Sequence, residues 1–140
     1  MMTSAVAFTG CSSTASSSPF TLEGTSWQLV SIQSMDDAQG TTTVPDPSTF
    51  TAVFDKDGRA SFLLDCNRGN GSYQAQPSAD GVSGTMTFGP IATTTMLCPQ
   101  PSLDQRVSLA LASVRGYLLK DDQLHMSQEA DGGILDWKRG

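Results

Sequence analysis

A chain of 140 residues with a formal net charge of −6 and only eight Lys and Arg has room for one domain and a short tail. It offers no basic patch to offset phosphate repulsion, which excludes a nucleic-acid or anionic-membrane surface. Charged residues make up 16% of the chain, and its short apolar groups bounded by Gly, Ser and Thr suit an antiparallel β protein better than a helical bundle. No run approaches the roughly 18 apolar residues that a membrane-spanning helix needs.

Residues 1–19 read as a leader and linker, and residues 20–140 as one folded body. Ala5 to Gly10 are mostly small and apolar and end at Cys11, and the Ser-rich run to Pro19 that follows has nothing to fold around. This stretch resembles the end of a bacterial lipoprotein signal peptide, in which the cysteine becomes the lipid-modified N-terminus. Met1 to Phe8 has no Lys or Arg and too short an apolar core for a full signal. Two readings stand: a lipidated Cys11 with the true start upstream, or a Ser-rich leader with an incidental cysteine. Neither places these residues in the core.

In the body, Thr25–Ile32 reads as a first strand anchored by Trp27, and Ser34–Ser48 as a long polar loop. Phe50–Phe54 alternates with Phe50, Ala52 and Phe54 on one face, Asp55-Lys56-Asp57-Gly58 is a tight turn, and Ala60–Leu64 returns. Cys66–Gly71 reads as an Asn/Gly-rich reversal, after which Tyr73 opens a short strand and Pro77–Gly81 turns it. Val82–Phe88 continues with Val82, Met86 and Phe88 on one face, and Ile91–Met96 leads to Cys98.

One helix is expected, with Ser102 as N-cap and Gln105 three residues on. Leu103, Val107, Leu111 and Val114 form its apolar stripe, and Gly116 is its closing glycine. Strands at Tyr117–Leu119, Gln123–Ser127 and Ile134–Trp137 follow, with turns at Asp121-Asp122 and Asp131–Gly133. Seven or eight strands and one helix imply a mainly β, α+β fold: an antiparallel sheet curled around the helix, or a small barrel with the helix packed against it. Cys66 and Cys98 each end an apolar run in a chain with an export-like tail, and they are expected to form a disulfide.

Catalytic sets are hard to assemble. His125 is the only histidine, alternates with Leu124 and Met126 so as to face outward, and stands near no nucleophile motif. Asp55-x-Asp57-Gly58 lacks the flanking acids of a calcium loop, since Val53 and Leu64 occupy those positions. Cys and His are too few for zinc. Thr93-Thr94-Thr95 reads as half-buried strand rather than an anion site. No catalytic residue, metal or cofactor is expected.

The body resembles the META domain, or HslJ-like, family of the bacterial heat-shock protein HslJ. The likeness runs from Trp27 to about Trp137 and rests on Trp27-x-Leu29, Cys66-Asn67 with Gly71-x-Tyr73, Thr94-x-Met96-x-Cys98, Tyr117-x-Leu119 after the helix, and the closing hairpin of Leu124 and Ile134–Trp137. The family commonly has Gly before the Cys-Asn pair, where this chain has Asp65. The resemblance implies a small, flattened, lipocalin-like antiparallel β-barrel with one α-helix, often an envelope protein, and it transfers no catalytic residues.

The functional expectation is a non-enzymatic, monomeric domain of the bacterial cell envelope, attached to the membrane only through a lipid at Cys11. It would bind an envelope partner or small ligand in support of envelope integrity or stress tolerance. The alternative is a secreted inhibitor or binding module that presents a loop, Ser34–Ser48 or Asn67–Gly71, to a protease.

Overall fold

The computed structural model describes residues 22–34 and 40–140. Cys11, the leader and residues 35–39 of the polar loop lie outside the described residues.

The strands are β1 (Thr25–Gln33), β2 (Thr41–Thr43), β3 (Phe50–Phe54), β4 (Arg59–Leu64), β5 (Asn67–Pro77), β6 (Ser83–Phe88), β7 (Ala92–Thr93), β8 (Val114–Lys120), β9 (Gln123–Gln128) and β10 (Ile134–Arg139), with α1 (Asp104–Ala112) between β7 and β8. Eight of them close an antiparallel barrel in the order β1-β3-β4-β5-β6-β8-β9-β10, and β10 pairs back to β1. β2 extends beside β1 where β3 has ended, and β7 lies along β5. Of the two architectures open at the sequence level, the closed barrel with a packed helix is the one formed.

Alternation builds the interior. β3 is buried at Phe50, Ala52 and Phe54, β4 at Ala60, Phe62 and Leu64, and β9 at Leu124 and Met126. These side chains join Trp27, Leu29, Leu135 and Trp137 in a single core cluster. Val107, Leu111 and Val114 enter the same cluster fully buried, with Leu103 packed against it, so the helical stripe is core as expected. Phe54 meets the Tyr73 ring edge-on at 4.8 Å, and Phe62 meets Phe88 at 5.3 Å, the aromatic geometry that quadrupoles favour.

Antiparallel pairing gives the barrel two distinct ends. One carries the passage from β4 to β5 and the start of β8, and α1 lies across it. The other carries the β3–β4 turn at Asp55–Gly58, the end of β5, the start of β6 and the β8–β9 turn at Asp121-Asp122.

Four local expectations are corrected. Asn67–Gly71 is strand, not reversal: β5 begins at Asn67, and the turn is only Asp65 and Cys66. Its glycines lie where β7 crosses closely, since a Cβ at Gly69 would stand 3.1 Å from the Ile91 side chain. The helix ends at Ala112 with Ser113 as C-cap, and Gly116 lies within β8 opposite Thr85, because the apolar stripe continues into the strand at Val114. The cap position by backbone geometry is Leu103, not Ser102, although the Ser102 hydroxyl accepts from the Asp104 N–H at 3.2 Å. The polar loop holds β2 and a 3-10 turn at Pro47–Thr49, seated by Asp46, whose carboxylate accepts from the Ser48 N–H and hydroxyl.

Candidate functional site

Among the described residues, three places that gather polar side chains stand out as candidate sites. The first is the clasp at the helix end. Cys66 and Cys98 stand at disulfide distance, with Sγ–Sγ 2.09 Å and Cα–Cα 5.5 Å. Beside them Asn67, almost fully buried, uses its whole carboxamide. Oδ1 accepts from the Met96 N–H at 2.7 Å and the Thr94 hydroxyl at 2.8 Å. Nδ2 donates to the Met96 carbonyl at 2.9 Å and to Asp104 Oδ2 at 3.2 Å. The motif residues Cys66, Asn67, Thr94, Met96 and Cys98 therefore tie the segment after β7 to the start of β5 and to α1.

Asp65, in the place where the family commonly has glycine, adopts φ 61°. That region disfavours most L-residues but tolerates Asp. Its carboxylate accepts from the Ser102 hydroxyl at 2.7 Å, and its N–H donates to the Thr49 carbonyl. The departure from the pattern thus adds a link to the helix entry. The clasp leaves Met96 and Leu97 outside, Leu97 being 88% exposed.

The second place is the outer barrel face at His125. The register of β9 and β10 sets His125 opposite Asp136, and Nδ1 lies 2.6 Å from Asp136 Oδ1. Asp136 is buried and also accepts from Ser31 Oγ at 2.8 Å and Gln33 Nε2 at 2.7 Å. His125 does face outward, and the carboxylate partner is what sequence reading missed. The hydroxyl bonds the carboxylate and not the imidazole, so the relay of a nucleophile, a base and an orienting acid is not assembled. These contacts join β1, β9 and β10 at the barrel seam.

The third place is the open end of the barrel. A cavity of about 490 Å³ there is lined by Leu22, Glu23, Tyr73, Ala75, Pro77 and Tyr117 among others, within the range of small-molecule sites. Tyr73 and Tyr117 come together because β6 runs between β5 and β8, with Tyr117 registered on Gly84. A Cβ at Gly84 would run into the Gln76 carbonyl oxygen and stand 2.8 Å from the Tyr117 ring. Only glycine lets the ring lie so close to the sheet.

The Tyr73 hydroxyl donates to the Asp55 carbonyl at 3.2 Å. Burial raises its pKa above the ordinary phenol value, with the charges of Glu23, Asp55 and Asp57 adding to the effect. Burial and then Asp80 raise Tyr117 in the same way. Asp80 itself is held below the usual carboxylate range by the Ser83 hydroxyl and by the Ser83 and Val82 N–H groups. Sequence reading placed Tyr73 and Tyr117 on strands but not in one site. The signal lay in two inward-facing tyrosines on strands far apart in the chain, legible only once strand order is known.

A closed eight-stranded barrel, helix-plugged at one end and open over two tyrosines at the other, defines a small lipocalin-like β-barrel. Residues 20–139 match the family model of the META domain, and the chain belongs to that family. No curated protein matches the sequence. Among solved structures it is similar to a protein from Burkholderia xenovorans determined by NMR, with a TM-score of 0.66 and 24% identity over 96% of this chain and 99% of that one. It is also similar to a DUF4847 family protein from Bacteroides vulgatus, with a TM-score of 0.55 and 15% identity over 84% of this chain and 93% of the other. At these identities the likeness is one of fold.

Proposed function

We propose that this chain is a non-enzymatic binding module of the bacterial cell envelope, tethered by a lipid at Cys11, that takes a small ligand at its open end in support of envelope integrity or stress tolerance. The observation that carries the binding reading is the mouth over Tyr73 and Tyr117, which combines volume, apolar wall and polar groups. The placement in the envelope rests on the export-like stretch ending at Cys11 and on the Cys66–Cys98 pair, whose oxidation suits an extracytoplasmic compartment. The clasp and the His125–Asp136 pair have structural tasks, which supports a non-catalytic role for both.

Mass spectrometry of protein purified from envelope fractions tests the placement: a diacylglyceryl-modified Cys11 peptide and an oxidised Cys66–Cys98 pair are expected, and an unmodified Cys11 would remove the tether. A screen against ester, peptide and glycoside substrates tests the non-enzymatic reading, which turnover lost on His125→Ala would overturn.

One observation favours protease inhibition as a second reading, and it moves the presenting loop. Asn67–Gly71 pairs along its length with β4, and Gly69 and Asn70 pair with β7 on the other side, whereas Leu97 projects from a segment fixed by Cys98 and Asn67. Inhibition of a chymotrypsin-like protease that is lost in Leu97→Asp is the expected result on that reading.

A further inference from the structure

The mouth carries a charge pattern that narrows what it would accept. Among the residues lining the cavity, Glu23 is the one formally charged side chain, and no Lys or Arg is present. Asp55 and Asp57 stand on the β3–β4 turn within electrostatic reach of Tyr73, and Asp80 stands on the β5–β6 turn within reach of Tyr117, at the same end of the barrel. Asp80 is fixed as a carboxylate acceptor by three hydrogen bonds. Lys56, within the β3–β4 turn, and Arg59, just after it, are exposed and outside the lining.

A second, independent observation lies on the cavity floor. Tyr117 is 94% buried, as its 6% relative exposure gives, yet its hydroxyl has no hydrogen-bond partner among the described residues. The hydroxyl is not sealed off, since Trp137 Nε1 is the one buried side-chain polar atom left without a partner among the described residues; it opens into the cavity, where a bound group can take the place of water. Tyr73, by contrast, has its hydroxyl engaged with Asp55.

We propose that the mouth receives an amphipathic organic cation, whose apolar body lies on Tyr117, Leu22 and Pro77 and whose ammonium group sits at Glu23, with Asp55, Asp57 and Asp80 on the turns around the mouth. This rests on the binding reading above and names its ligand class. The body replaces water on an apolar wall. The ammonium finds carboxylates and, at Tyr117, an oxygen able to accept a hydrogen bond. An anion of the same shape would meet Glu23 with no cation in the cavity lining to offset it, which is the repulsive half of specificity. Because the four carboxylates are exposed, the preference is salt-sensitive.

The test uses three probes of one body at pH 7: 4-phenylbutylamine, 4-phenylbutanol and 4-phenylbutyrate. Each is titrated into the full chain by calorimetry, with the Tyr73 and Tyr117 ring resonances followed by NMR. The amine should bind at least about tenfold more tightly than the carboxylate, with the alcohol between, and the spread should shrink in 0.5 M salt as screening shortens the reach of the carboxylates to a few ångströms. Glu23→Gln, at an exposed position, should weaken the amine several-fold and leave the alcohol unchanged. Tyr117→Phe should weaken both amine and alcohol. An alcohol or carboxylate that binds as tightly as the amine overturns the cation class and leaves the binding mouth standing. If none of the three moves the tyrosine resonances, the mouth and the class fall together.

Discussion

Asn67 holds Met96 at both its amide N–H and its carbonyl, at 2.7 and 2.9 Å. One side chain thereby imitates a strand partner for a segment that has left the sheet. The same carboxamide reaches Thr94 and Asp104, so the Cys-Asn and Thr-x-Met-x-Cys signatures are two sides of one fastening. Asn67→Ala leaves the Met96 N–H and carbonyl without these partners and should cost about 2–4 kcal/mol, from several lost hydrogen bonds of about 1 kcal/mol each plus buried groups left unpaired. Thr94→Val removes one of the bonds and should cost about 1 kcal/mol. Urea unfolding of both variants checks the ratio, and equal losses would falsify the fastening role of the carboxamide.

The covalent half of the clasp acts on the unfolded chain. The two cysteines are 32 residues apart, and closing a loop of that length stabilises by about 3–4 kcal/mol on the chain-entropy estimate. Cys66→Ala/Cys98→Ala should lose that much relative to the oxidised protein, and reductant should not alter the double variant. A reductant-insensitive melting temperature in the parent protein would mean that the pair carries no bond.

The helix supplies a paired control. Leu111 is fully buried in the core, while Leu109 on the same helix is 72% exposed. Leu111→Ala should cost about 2–5 kcal/mol through lost transfer energy and a cavity. Leu109→Ala should stay within about 0.5 kcal/mol, as surface substitutions do. Thermal unfolding of the two distinguishes a helix that fills the barrel end from one that merely rests on it.

Acid should act through two exposed turn carboxylates. Hydrogen bonds from the Ser48 side chain and backbone lower the pKa of Asp46, and those from Ser83 and Val82 lower that of Asp80. A depressed folded pKa contributes stability that is present above the unfolded value and lost as pH falls through the folded one. Asp46→Asn/Asp80→Asn should therefore be less stable than the parent at neutral pH, with the gap closing below about pH 3. Melting curves at both pH values decide it, and a gap that persists in acid would show that ionisation is not the source.

Much of the fold was legible because its signals are local. Phe50, Ala52 and Phe54 alternate within five residues, Asp57-Gly58 marks a turn, and the stripe through Val107, Leu111 and Val114 keeps helical spacing into β8. Asn67–Gly71 misled because Asn and Gly favour turns locally, whereas here they meet demands set from elsewhere in the chain. Gly69 and Gly71 make room for Ile91 and its neighbours, and Asn67 answers a segment 29 residues away. Gly116 looked like a helix stop because glycine usually is one after a stripe ends, but strand pairing with Thr85 overrides that tendency. The mouth could not be read at all, since Tyr73 and Tyr117 meet only through the order β5-β6-β8. The same holds for His125 and Asp136, which need the hairpin register.

The pairing of β1 with β10 joins strands whose side chains Ser31 and Asp136 lie 105 residues apart. Until Ile134–Arg139 has left the ribosome, β1 and β9 each lack the neighbour that completes the circle, and both present open edges. Ring closure therefore waits on β10, the strand farthest along the chain from its partner β1. Everything from β1 to β9 is an open, curled sheet until that one strand docks, so the closed barrel depends on a single late pairing rather than on gradual accumulation.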